Sequence, residues 1–237
     1  MMGKTFKTGG VRFFQTTAKP SERGKSDADQ FVLVKTDSML DFYRGLEQYK
    51  PKEIMEVGMY EGGSLVWLDQ IYKPTKLVGL DVRTDPIEAL EKYRSTRPHI
   101  RTYYGRYQQH EGTHAAAQTN FPTGIDLIID DASHLYEFTK QTFCMLFPMV
   151  RPGGHYVIED WSWSHRPAYQ GDSGVWADRP ALTNLVLELV VMSALHGVIE
   201  SIHIDRNLVC IRKGRGPFKK EMFDLSKVLR GRQMQQL

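Results

Sequence analysis

The sequence predicts an α/β fold: a doubly wound, mostly parallel seven-stranded sheet that ends in a C-terminal antiparallel hairpin. Three observations predict it. Five apolar runs (53–58, 76–82, 100–104, 125–130 and 155–160) alternate with segments of helical period. Several of those runs end in glycine or carboxylate, at Gly58, Asp81, Asp130-Asp131 and Glu159-Asp160. Open α/β sheets bind ligands at that end of their strands. The last two runs, 198–205 and 207–213, meet at a tight Arg206-Asn207 turn that suggests a hairpin.

Taken in order, the first ~30 residues show no sustained period, and "AKPSERGKSDAD" reads as a loose arm. Helical spacing begins at "TDSML", with Ser38 placed to cap and Leu40, Tyr43 and Leu46 on one face. The strand "EIMEVG" leads to the helix 63–72, and "KLVGLDV" leads to the helix 85–94, whose Pro86 suits a first turn. "IRTYY" precedes a weaker helix around "HEGTHAAAQT". "IDLIID" precedes a helix, 135–150, that stops at Arg151-Pro-Gly-Gly154. "HYVIED" is the fifth strand, an irregular stretch 161–178 follows, and a buried helix spans 180–196. The expected organisation is a flexible arm over 1–37, one domain over 38–213 and a basic tail over 214–237.

The 237 residues suffice for a well-buried core, with 41% hydrophobic and 25% charged residues. A net charge of +3 is too mild to argue for a nucleic-acid partner, and the basic tail reads as a solvated terminus. Cys144 and Cys210 lack metal-ligand spacing and read as reduced core residues. No apolar run reaches the ~18 residues of a membrane span, and no signal-peptide core is evident. The expectation is a cytoplasmic protein with a small-molecule substrate, no nucleic acid and no membrane.

The first strand runs into "EVGMYEGGS", in which Gly58 permits a sharp turn and Gly62 and Gly63 permit close approach of the next helix. The G-x-x-x-G-G spacing departs from the pyrophosphate fingerprint, so a cofactor without phosphates suits it better. Asp81 ends the next strand, where a carboxylate can take both hydroxyls of a ribose. Glu56 beneath the turn suits a cationic or amino-bearing ligand. S-adenosylmethionine, with its ribose, ammonium-carboxylate tail and sulfonium, fits all three features.

With those motifs in place, the chain resembles the class I S-adenosylmethionine-dependent methyltransferases over roughly residues 38–213. The pair "IIDDASH" and "MVRPGGHYVIEDW" resembles, more narrowly, the metal-dependent sugar O-methyltransferases of macrolide biosynthesis and relatives once labelled cephalosporin hydroxylases. The resemblance implies a Rossmann-like fold and an oligomeric assembly. It also implies cofactor contacts at Glu56, Gly58, Tyr60, Gly63, Ser64, Asp81 and Asp130, with the methionyl carboxylate near Gly63 and Ser64. One departure stands out: an acid expected to face the adenine after the third strand is replaced by Gly105-Arg-Tyr-Gln108.

Strands four and five, if neighbours, bring Asp131, Glu159 and Asp160 into one small space, where carboxylates repel unless a cation intervenes. An all-oxygen set points to Mg²⁺, with Mn²⁺ or Ca²⁺ as alternatives, and the resemblance implies metal ligands at the same three positions. Consecutive strand residues face opposite sides, so Glu159 and Asp160 share an ion only where the strand has already bent. His134 becomes a candidate general base beside that ion, with Asp131 catalytic through the metal, because imidazole titrates near neutrality. Trp161, Trp163 and Tyr169 are candidate acceptor contacts in a lid; the alternative is that they pack the loop onto its own domain.

These parts make an O-methyltransferase acting on a vicinal diol, with S-adenosylmethionine and Mg²⁺ as cofactors and a sugar as acceptor. A catechol-type enzyme and a non-catalytic cofactor-binding scaffold are the competing readings. An iron oxygenase would want two histidines beside one carboxylate.

Overall fold

The computed structural model describes residues 3–171, 174–194 and 197–216, so most of the basic tail lies outside the described residues. Strands β4 (Glu53–Val57), β5 (Lys76–Leu80), β6 (Ile100–Tyr103), β7 (Ile125–Asp130), β8 (Val150–Glu159), β9 (Ile199–Ile204) and β10 (Leu208–Lys213) form one sheet. Their order is β6-β5-β4-β7-β8-β10-β9. Both β5 pairings and β7–β8 are parallel, whereas β10 pairs antiparallel with β8 and β9. This is the mostly parallel sheet with a terminal antiparallel hairpin that the strand pattern predicts.

The chain divides into two compact units, residues 1–107 and 108–237. In the first, the amino-terminal segment is not the loose arm expected. Strands β1 (Lys4–Thr8), β2 (Val11–Gln15) and β3 (Phe31–Leu33) make a separate three-stranded sheet. Gly9 and Gly10 both take positive φ, +57° and +88°, between the paired residues Thr8 and Val11. A two-residue Gly-Gly turn matches the twist of a hairpin, so the signal was present in the sequence. Phe13, Phe31, Val32 and Leu33 are buried, and Phe31 meets Tyr93 edge-on at 5.6 Å. Buried apolar contacts of this kind hold the segment to its own unit.

Helix α1 (Asp37–Gly45) is capped by Thr36, whose hydroxyl accepts the Met39 N–H at 3.2 Å, rather than by Ser38. Met39, Leu40 and Tyr43 form its buried face. Helices α2 (Gly63–Tyr72) and α3 (Glu88–Arg94) complete the first unit's β-α alternation. Gly63 has a packing reason: an added Cβ would lie 2.0 Å from the Val32 carbonyl oxygen. At Gly62 (φ +77°) a Cβ would press on Leu90.

The second unit holds α4 (Glu111–Asn120), α5 (Tyr136–Leu146) and α6 (Thr183–Met192). Strand β8 starts five residues earlier than the sequence suggests. Register with β7 jumps from Ile125↔Val150 to Leu127↔His155, so Arg151-Pro-Gly-Gly154 bulges out of a continuing strand instead of only stopping a helix. A bulge accommodates the missing proline N–H and the positive φ of Gly153, +82°. Helix α6 is shorter than the expected 180–196 span, of which residues 195 and 196 lie outside the described residues. Cys144 and Cys210 are buried and form no disulfide. No helix among the described residues is long and apolar enough to cross a membrane.

Candidate functional site

Two groups of predicted residues stand at the carboxyl ends of strands, one in each unit. In the first unit, β4 ends in a loop whose Gly58, Tyr60 and Gly62 all take positive φ (+93°, +51° and +77°). For tyrosine this left-handed conformation is strained, and strain of that kind persists only where neighbours enforce it. Asp81 is the enforcer: its Oδ2 accepts the N–H groups of Met59 and Tyr60 at 2.9 and 3.0 Å, and its Oδ1 accepts that of Arg83 at 2.9 Å. An ionised carboxylate has about four lone-pair sites, so three such bonds still leave room for a ligand hydroxyl. Glu56 is fully buried in β4 below the loop. A buried carboxylate is stabilised by a cationic group, as an amino-bearing ligand would supply. Ser64 follows in the first turn of α2 and is partly exposed.

Two further residues, Arg83 and Ser26, which sequence reasoning passed over, pin this loop. The Arg83 guanidinium donates to the Tyr60 carbonyl at 2.7 Å and sits 3.5 Å from Glu61. Ser26 Oγ donates to the Glu61 carbonyl at 2.7 Å and accepts the Val32 N–H at 2.9 Å. Part of the segment read as loose thus clamps the glycine turn. Its only trace in the sequence is the short apolar run Phe31–Leu33 that follows.

In the second unit, β7 ends at Asp130 and β8 at Glu159. Ligand atoms of Asp131, His134 and Asp160 all lie within 4.8 Å of one another. His134 Nε2 stands 3.8 Å from Asp131 Oδ1, with side-chain exposures of 12% and 22%. Asp160 reaches the group because it leaves the strand at once: its φ is +54°, and its N–H donates to the Asn207 carbonyl. Glu159, still in the strand and buried, is outside this group. The alternation of strand side chains separates the two neighbouring acids, and His134 stands where Glu159 was expected. Two carboxylates, partly open to water, suit a hard divalent ion that keeps several waters, with the imidazole beside it.

His134 lies just before the start of α5, in a loop with positive φ, +56°. Ser133 is held on one side of it: its N–H donates to Gln108 Oε1 at 2.9 Å, and its Oγ accepts the Leu135 N–H at 3.2 Å. Buried Gln108 donates in turn to Thr142 Oγ1 at 3.1 Å, in α5. The sequence offered Gln108 where an adenine partner was expected; here it braces the loop carrying Asp131 and His134.

Asp130, expected among the cofactor contacts, is buried and accepts the Tyr156 hydroxyl at 3.0 Å. Burial pushes its carboxyl up to about 7; the charge of Asp131 adds to the rise, against the lowering effect of the Tyr156 hydrogen bond.

The predicted acceptor residues divide. Trp161 donates its Nε1 to the Asp205 carbonyl at 2.7 Å and anchors the lid to the β9–β10 turn. Trp163 stacks on Tyr169 (5.3 Å, 8°), meets Trp176 edge-on at 6.3 Å and lies 4.7 Å from the His134 ring. The lid is therefore a self-packed aromatic cluster set against His134.

The family model described as Methyltransferase domain matches residues 55–161. Demethylmacrocin O-methyltransferase of Streptomyces fradiae is 29% identical over 198 residues, which is 72% of this chain and 47% of that protein. L-olivosyl-oleandolide 3-O-methyltransferase of Streptomyces antibioticus is 32% identical over 159 residues, 64% of this chain and 37% of that protein. Among solved structures, the MycE methyltransferase of the mycinamycin pathway, in complex with Mg, SAH and mycinamycin VI, superimposes with a TM-score of 0.58 at 26% identity. That match covers 74% of this chain and 49% of the MycE chain. The chain spans half or less of the length of these relatives.

Proposed function

We propose that the chain is a class I S-adenosylmethionine-dependent O-methyltransferase that uses Mg²⁺ to methylate a hydroxyl of a vicinal diol, a reading supported by the family model and relatives it resembles. The acceptor we propose is a sugar of a natural product or glycan. The observation that carries this reading is the Asp131–His134–Asp160 group at the ends of β7 and β8. The glycosyl group in the name of L-olivosyl-oleandolide 3-O-methyltransferase of Streptomyces antibioticus supports the acceptor class.

In this reading Glu56, Gly58, Tyr60, Gly63, Ser64 and Asp81 hold the cofactor. Glu56 faces its cationic portion, Asp81 takes ribose hydroxyls, and the strained Gly58–Gly62 turn keeps a fixed backbone for it. Asp131 and Asp160 bind the divalent ion and orient the diol beside His134. Bound there, S-adenosylmethionine supplies the electrophilic methyl group and the ion makes the acceptor hydroxyl more acidic. His134 takes the hydroxyl proton on its imidazole, and the chain need contribute no covalent bond to the acceptor. Holding the oxygen in line with its target supplies much of the acceleration. Trp163, against one side of His134, limits the access of water to it.

The test is methyl transfer from S-adenosylmethionine to a panel of glycosides and catechols, with Mg²⁺ or with excess chelator. Asp131→Asn is expected to lower turnover by at least ~100-fold while S-adenosylmethionine affinity stays near normal. Undiminished turnover in chelator refutes the metal step. Cofactor binding without turnover on any acceptor favours a scaffold.

A further inference from the structure

Four buried polar atoms of the lid have no hydrogen-bond partner among the described residues: Trp163 Nε1, Trp176 Nε1, Arg166 Nε and Ser164 Oγ. The two tryptophans and the arginine belong to one cluster. Trp163 and Trp176 are in ring contact, and the Arg166 guanidinium lies 5.9 Å from the Trp163 ring centre. Each buried, unsatisfied donor costs about 1–3 kcal/mol, and several in one short loop call for a common explanation. Three of the four can only donate; the hydroxyl can do either. What completes the set must therefore be rich in acceptor oxygens.

Charge narrows the class. Arg166 Nη2 lies 3.9 Å from Asp160 Oδ1, the carboxylate within ion-pair distance of it. Nη2 also donates to Ser162 Oγ at 3.5 Å, a long contact. Its side chain is 30% exposed, so its charge is only partly solvated. A divalent ion on Asp131 and Asp160 carries two positive charges against their two negative ones. Once that ion is bound, the Asp160 charge is consumed, and among the described residues no second carboxylate pairs with Arg166, which lies over the Trp163 ring whose indole N–H is unused.

We propose that the lid recognises an anionic group on the acceptor, a carboxylate or a sulfate or phosphate ester borne next to the diol, through Arg166, Trp163 Nε1 and Trp176 Nε1. This deepens the methyltransferase reading and rests on its metal group. It assigns the aromatic loop the role of a donor-lined anion contact in place of a stacking platform, since Trp163 and Tyr169 already stack one face on each other.

The experiment is isothermal titration of the full chain, with Mn²⁺ present, with two matched pairs of probes: glucuronate against glucose, and 3,4-dihydroxybenzoate against catechol. The carboxylated member of each pair is expected to bind roughly tenfold or more tightly, as a charge-assisted hydrogen bond warrants. Arg166→Gln is expected to erase that preference, and Trp176→Phe, which keeps a ring but removes the donor, to reduce it. The Mn²⁺ affinity of Arg166→Gln should hold or rise, because Asp160 loses its competing cation. Equal binding within each pair, or a preference that survives Arg166→Gln in a folded protein, overturns the inference and leaves the metal reading standing. Absence of Mn²⁺ binding by the unaltered protein overturns both.

Discussion

Replacing Gln108 with Leu tests whether the metal group is held by its surroundings or only by its own residues. The side chain accepts the Ser133 N–H at 2.9 Å and donates to Thr142 Oγ1 at 3.1 Å, and it is buried. Leucine fills the volume but offers neither bond. The Ser133 N–H, left without its acceptor in a part-buried loop, costs about 1–3 kcal/mol. Thr142 still donates to the Phe138 carbonyl at 2.8 Å, so its loss is nearer ~0.5 kcal/mol. The expected destabilisation is about 2–3 kcal/mol, or several degrees in Tm for a unit of this size. Ser133 lies between Asp131 and His134, so freeing it should weaken Mn²⁺ binding about 10-fold, the lower range for residues that orient metal ligands. Gln108→Glu keeps an acceptor for the Ser133 N–H and should recover most of the metal affinity. The assays are thermal unfolding and Mn²⁺ titration of both variants. If Gln108→Leu loses stability but binds Mn²⁺ within twofold of the unaltered protein, Gln108 is structural and the argument from loop bracing is wrong.

Three other outcomes follow from the geometry. His134→Ala should retain Mn²⁺ binding within about fivefold yet lose most turnover if the imidazole works as base; a matching collapse of metal affinity would make it a ligand instead. His155 is held down at about 4, against an ordinary 6.5, by burial first and by the Arg212 charge second. The folded state therefore binds fewer protons than the unfolded one between those values, and its stability is lost as pH falls from about 6.5 to about 4. His155→Gln should flatten that part of a denaturant-midpoint profile, and an unchanged slope would refute the assignment. Lys140 donates to Glu188 at 2.8 Å between α5 and α6, and Glu188 also accepts the Tyr136 hydroxyl at 2.5 Å. Lys140→Met should cost about 3 kcal/mol in chemical unfolding by leaving a buried carboxylate without its cation; a neutral result would show that water replaces the ammonium.

The residue pattern by itself determined the strand–helix alternation, the terminal hairpin and the identity of the acids that end β7 and β8. Those features follow from local periodicity and from where charge interrupts an apolar run, and both are written along the chain. The sequence also carries the Gly9-Gly10 hairpin signal, but the two strands are only five residues each and β1 is mostly exposed, so neither shows a sustained apolar alternation. Only the tertiary structure decided which chemistry-bearing residues meet. Asp160 joins Asp131 while Glu159 does not, because one residue adopts a left-handed backbone just past the strand and the other stays in its pleat. Likewise Gln108 braces a loop 25 residues away, and Ser26 clamps a turn 35 residues away. A hydrogen bond across such a separation depends on packing that brings distant backbone together, and no local pattern encodes it.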